Sequence, residues 1–196
     1  MESSQLEDTQ RDELQELGNI GAGRASRYLS DLADNKVNIG IPKVDIVSLS
    51  TGSDEVSQIM DVPSNEQLMA VLMPTKDPSG GIVFLFTQED YQKFLQMGDG
   101  EDFLEISEEV SNYYINALES FLSLDVDTGE PRLISLPLNT LLIQISSSIQ
   151  GDSSDALIIN TEFSITGDDE ETTGEITFFL EIEDIDSIIE VMEEKL

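Results

Sequence analysis

One stretch of this chain occurs twice. Gly80 to Asp90 (GGIVFLFTQED) lies over Gly174 to Asp184 (GEITFFLEIED) without a gap. Ile82, Phe84 and Phe86 match Ile176, Phe178 and Leu180, and Glu89-Asp90 match Glu183-Asp184. Each copy alternates apolar and polar residues, follows a turn-rich stretch (KDPSGG, GDDEETTG) and leads into a helical pattern. That is the pattern of a hairpin strand followed by a helix. A second correspondence runs at its own constant offset. Leu14, Leu17, Gly21, Ala25, Tyr28, Leu29 and Leu32 share one helical face, and Phe103, Ile106, Val110, Tyr114, Ala117, Leu118 and Phe121 repeat it. The same offset carries Pro42 onto Pro131. Such internal similarity restricts the fold to two like units.

Each half therefore reads as a long helix, a proline, several strands ending in a hairpin, and a short helix. KVDIVSLS, EQLMAVLMP and GIVFLF are the expected strands of the first half, and TLLIQIS, DALIINTEFSI and EITFFLEI those of the second. The expected fold class is α+β: an internally duplicated framework whose pseudo-symmetric halves pack long helices on a largely antiparallel β-sheet. We expect one domain over residues 1–196, made of repeats at about 10–98 and about 99–196, the boundary falling in QMGDGED at Gly98 to Gly100.

Charge narrows the setting. Forty-one Asp and Glu against nine Lys and Arg give a formal net charge of −32, spread through segments with clear apolar periodicity. This is the acidic skin of a folded protein rather than a disordered tail. It repels itself at ordinary ionic strength and is screened by concentrated salt, which points to a salt-rich cytoplasm of the extreme halophile kind, as in a haloarchaeon. The same field argues against nucleic acid as a partner. There is no Cys and no His, which removes thiol nucleophiles, disulfides, imidazole bases and Cys/His metal sites. No stretch reaches the length of a membrane span and the N-terminus lacks the parts of a signal peptide, so the expected location is cytoplasmic, without membrane insertion.

Opposite the apolar face of the first helix, at about 100° per residue, lie Asp12, Glu16, Asn19, Gly23 and Ser30. Glu16 and Asn19, three apart, are neighbours on that surface. Gly18, Gly21 and Gly23 each weaken the helix by about 1 kcal/mol relative to alanine. Gly18 and Gly21 face inward and permit close packing. Gly23 faces outward, where a smooth docking surface explains it.

The full pattern, Asp12, Glu16, Asn19 and Pro42 within a helix reading ELGNIGAGRAS, resembles the CheC/CheX/FliY family of chemotaxis phosphatases, CheC above all. CheC also has two such helices in a duplicated framework, and the second helix here carries a CheC-like YINAL at Tyr114 to Leu118. The resemblance implies a CheY-P phosphatase, a hydrolase of two-component signalling that removes the aspartyl phosphate of a chemotaxis response regulator. It assigns the catalytic roles to Glu16 and Asn19, with Asp12 and Pro42 as flanking signature positions; Asp12 and the outward-facing Gly23 are the expected partner-binding residues. The implied partners are a phosphorylated CheY-type response regulator and the receptor deamidase CheD. No cofactor of its own is implied, the regulator bringing its Mg²⁺.

The second helix departs from that pattern. At the constant offset Glu16 becomes Glu105, Asn19 becomes Glu108 and Asp12 becomes Glu101. An ionised carboxylate cannot donate hydrogen bonds and repels a phosphoryl group, so this second site reads as degenerate and inactive. A competing register, Glu109 and Asn112, restores the pair but breaks the YINAL match and the proline spacing, and turns Glu109 toward the apolar stripe. The acids of GDDEETTG and of the C-terminal helix read as solvated surface, without hard-cation loop spacing, so no metal is expected. Ser146, Ser147 and Ser148 have no base beside them and are expected to end a strand. Two rival functions stay open: a non-enzymatic chemotaxis adaptor that binds CheD or a response regulator, and a motor-associated subunit resembling FliY.

Overall fold

The structure, a computed structural model, describes residues 6–97, 102–148, 155–167 and 170–194. Its elements run α1 (Asp8–Ala33), β1 (Val37–Ile39), β2 (Lys43–Ser48), α2 (Ser53–Met60), β3 (Gln67–Asp77), β4 (Ser79–Thr87) and α3 (Gln88–Met97). The same order of types follows: α4 (Phe103–Leu122), β5 (Asp127–Thr128), β6 (Arg132–Pro137), α5 (Leu138–Ser146), β7 (Asp155–Thr166), β8 (Glu171–Glu181) and α6 (Ile182–Glu193). Each half contains an antiparallel hairpin: Leu68 faces Thr87 across β3 and β4, and Ala156 faces Glu181 across β7 and β8. The expected boundary at Gly98 to Gly100 lies outside the described residues.

All eight strands join one antiparallel sheet in the order β1-β7-β8-β4-β3-β5, with β2 also on β7 and β6 also on β3. The edge strands of each half thus pair with the hairpin of the other, and neither half completes a sheet from its own residues.

Both faces of the sheet are covered. On one lie α1, α4, α3 and α6, packed on Val71, Phe84, Phe86, Ile159, Phe163 and Phe178. Here the few large rings are concentrated: Phe84 stacks on Phe163 with centroids 5.4 Å apart, and Phe86 meets Phe94 at 4.7 Å. The other face packs Leu68, Leu72, Val83, Leu85, Ile158 and Phe179 against Val56 and Met60 of α2 and Leu138, Leu141, Leu142 and Ile145 of α5.

Two expectations are corrected. TLLIQIS is the body of helix α5, not a strand, and the strand of that region is β6, just before it. Leu138, Leu141, Leu142 and Ile145 recur at three- and four-residue spacing, and Pro137 caps the start with an extended backbone, so the segment buries one helical stripe. Ser146 accordingly ends a helix and Ser147 is its C-cap. Helix α2, its counterpart in the first half, is not among the expected elements, and its eight residues hold only three large apolar side chains.

Helices α1 and α4 meet through a tight fit. A Cβ on Gly21 would lie 2.6 Å from the Tyr114 ring, so only glycine admits that ring. The Tyr114 hydroxyl is fully buried and has no hydrogen-bond partner among the described residues. An unpaired buried donor is costly. Tyr114→Phe should therefore raise unfolding stability by about 1 kcal/mol, read as a shift in the denaturation midpoint at constant high salt; a loss of stability would reveal a partner for that hydroxyl. No helix among the described residues is long and apolar enough to cross a membrane.

Candidate functional site

Helix α1 is fixed at both ends of its outward-facing segment. Glu7 starts it with a capping box, its backbone N–H donating to Gln10 Oε1 at 3.0 Å. One turn on, Arg11 donates from Nη1 to the Val44 carbonyl of β2, and its Nη2 is 3.5 Å from Asp45 Oδ1. At Gly18 a Cβ would lie 2.7 Å from Ile159 and 2.9 Å from Pro42, so the backbone there rests directly on β7 and on the residue before β2. Tyr114 holds the next contact, at Gly21. Between these anchors the helix has little freedom to roll.

On the opposite side Asp12 and Glu16 are exposed and Asn19 is half-buried. Asn19 Nδ2 donates to Glu16 Oε2 at 3.5 Å, which places the carboxylate and the amide side by side. That distance is at the outer limit of a hydrogen bond, and the amide is therefore held loosely enough to accept another partner. Nothing lies within 4 Å of the space a Cβ on Gly23 would fill. The four residues singled out from the sequence thus lie on the accessible side of one helix.

The second helix repeats the frame without the amide. Glu105 is exposed and Glu108 half-buried, as Glu16 and Asn19 are, while Glu101 lies outside the described residues. Glu108 lines a shallow hollow with Pro131, Lys76 and Arg132. Pro131, the residue aligned with Pro42, thus lies on the same side of the molecule as Glu108. Glu109 is exposed rather than turned to the apolar stripe, and Asn112 is half-buried, so exposure alone does not separate the two registers. No group of three or more Asp and Glu with metal-holding geometry occurs among the described residues.

One feature beside the site was not anticipated. Ile41, immediately before Pro42, is 80% exposed. A lone isoleucine between Gly40 and Pro42 has no periodic neighbours to mark it, and only its place before the aligned proline could have drawn notice.

No protein-family model matches the sequence. Among solved structures, that of Thermotoga maritima FliY superposes with a TM-score of 0.69 at 15% identity, covering 97% of this chain and 99% of that one. The chain has the FliY fold. FliM from H. pylori shares it: in its complex with SpeE the TM-score is 0.62 at 14% identity, over 97% of each chain. In its complex with FliG, FliM gives 0.59 at 16% identity, over 94% of this chain and all of that one. The FliY fold is a mixed α+β arrangement, as expected, and FliY is one of the proteins whose family the α1 motif resembles. At these identities the likeness concerns the fold, and the chemistry must be argued from the residues.

Proposed function

We propose that the protein is a cytoplasmic CheY-P phosphatase of the CheC type that dephosphorylates a chemotaxis response regulator through Asn19 and Glu16. The observation that carries this reading is the pairing of an accessible amide with a carboxylate on a helix locked at Gly18 and Gly21.

The chemistry fits an amide. An aspartyl phosphate is an activated acyl phosphate, and the regulator supplies its own Mg²⁺ against the phosphate charge. What hydrolysis needs is a water held in line with phosphorus. A carboxamide offers an acceptor oxygen and a donor NH₂, so Asn19 can orient that water without acting as a strong base. Glu16 would pair with the regulator's active-site lysine. That contact replaces the weak Asn19–Glu16 hydrogen bond and frees the amide for the water. A helix clamped at two glycines delivers the amide without the entropy loss of ordering a loop.

Asn19→Ala should lower the rate of regulator dephosphorylation about 100-fold, the order lost when a reacting group is misplaced. Glu108→Ala should change it little. The assay follows phosphate loss from the phosphorylated cognate regulator in concentrated KCl. Equal slowness of wild type and Asn19→Ala would rule out the enzyme reading.

A second reading is favoured by Glu108, which stands in a preserved frame without the amide. On it the chain is a chemotaxis adaptor that binds CheD or a response regulator through its helix faces and does not turn over phosphate. It predicts regulator or CheD binding with no difference in phosphate loss between wild type and Asn19→Ala.

A further inference from the structure

We infer that Ile41 is the apolar anchor by which the Asn19 face grips its partner, so that the phosphorylated regulator must present an apolar recess beside its phosphoryl pocket. The inference rests on the phosphatase reading above and names the residue that sets its partner affinity.

Ile41 is more exposed than any other large hydrophobic side chain among the described residues, at 80%, and Ile39, two residues earlier, is 37% exposed. The side chain is displayed by a stiff mount. Gly40 N–H donates to the Glu162 carbonyl at 2.8 Å, and the Pro42 ring rests against Gly18, the residue before Asn19. Ile41 and Asn19 therefore flank one close contact between β2's leading residue and α1. A preorganised apolar side chain loses little freedom on binding.

The electrostatics favour such an anchor. A chain of net charge −32 repels a phosphorylated partner wherever its acids face that partner. In concentrated salt the screening length falls to about 3 Å, and steering by charge is lost with it. Short-range burial of apolar surface is what survives there, and burying one isoleucine is worth roughly 10- to 100-fold in affinity.

The second half of the chain supplies an internal comparison. Gly129-Glu130-Pro131 stands where Gly40-Ile41-Pro42 stands, and Gly129 N–H likewise donates to a neighbouring strand, at 2.7 Å to the Pro74 carbonyl. The glycine and proline of the mount are kept. The displayed residue is an exposed glutamate, in the half whose helix has Glu108 in place of the amide. Anchor and amide are present together in one half and both are carboxylates in the other.

The test measures binding and turnover separately in concentrated KCl. Binding uses the CheY-type regulator carrying beryllofluoride as a stable phosphoryl mimic, and turnover uses the phosphorylated regulator at saturation. Ile41→Glu, which copies Glu130, should raise Kd at least tenfold while changing saturated turnover less than twofold; Glu130→Ala should leave both near wild type. Asn19→Ala should do the reverse, keeping Kd and losing turnover. An unchanged Kd for Ile41→Glu, with wild type active, overturns the anchor and leaves the phosphatase reading standing. A dimer of the chain that Ile41→Glu dissociates, with regulator Kd unmoved, would assign the residue to self-association and overturn it equally. If wild type neither binds nor dephosphorylates the regulator, the phosphatase reading fails and the anchor fails with it.

Discussion

Gly80→Ala should leave little folded protein, with a loss above about 3 kcal/mol, beyond the usual range for an added methyl group. Gly80 sits on β4 opposite Leu180 of β8 and opposite Thr75 of β3, at the seam where the two hairpins join. A Cβ there would run into the Phe179 carbonyl oxygen and press on the Leu180 backbone. Side chains can turn aside, whereas a strand hydrogen-bonded on both edges cannot, so the strain falls on the β4–β8 pairing that unites the sheet. Gly174, with which it aligns in the sequence, is required for another reason: a Cβ would enter the Phe163 and Phe86 rings. Gly23→Ala is the matched control. With open space around it, alanine on that exposed turn should raise stability by up to about 1 kcal/mol, and any functional loss would then report on docking alone. Thermal or urea denaturation at fixed high KCl compares the three proteins. A Gly80→Ala midpoint equal to wild type would mean the strands can part without cost.

The hairpins and the two long helices were legible in the sequence because their patterns are strong and occur twice. GGIVFLFTQED and GEITFFLEIED do form β4 with α3 and β8 with α6. Gly18 and Gly21 face inward and Gly23 outward, as their places on the helix predict. The other layer escaped notice. TLLIQIS is a short apolar run, and such a run suits a buried strand and a buried helix equally. Only the preceding proline and the leucine spacing favour α5. In the sequence the strand of Ile176, Phe178 and Leu180 alternates apolar and polar residues, and without α2 and α5 nothing marks the intervening ones as covered. They are in fact enclosed. The site fared differently. Glu16 and Asn19 could be put on one surface by spacing alone, but Ile41 could not, because its exposure depends on β1 and β2 turning around Gly40 and Pro42.

Glu175 shows what that second layer does to a carboxylate, and Glu175→Gln should make the protein markedly more stable in alkaline solution. Glu175 is 5% exposed on β8, beside Met60 and Val62 at the end of α2. Asn160 Nδ2 donates to its Oε2 at 2.8 Å, and Thr177 Oγ1 donates to Asn160 Oδ1 at 2.6 Å. Glu162 lies directly across the strand pair. Burial pushes the Glu175 carboxyl up to about 8; the Asn160 hydrogen bond and Lys43 oppose this, and Glu162 and Asp61 add to it. In the unfolded chain the group titrates near 4.5. Between those values the folded state keeps a proton that the unfolded state has released, so folding stability falls as pH rises from about 4.5 to about 8 and then levels off. Glutamine imitates the protonated acid: its oxygen accepts from Asn160, and its NH₂ can face the cavity of about 120 Å³ that Glu162 and Asp61 also line. At about 1.4 kcal/mol per unit of pH, the advantage of Glu175→Gln should grow by about 3 kcal/mol between pH 5.5 and 9. Taking the difference between the two proteins at each pH removes the titration of the other acids, which both share. A flat difference across that range would mean that water or a cation reaches Glu175 and that α2 does not seal the sheet beneath it.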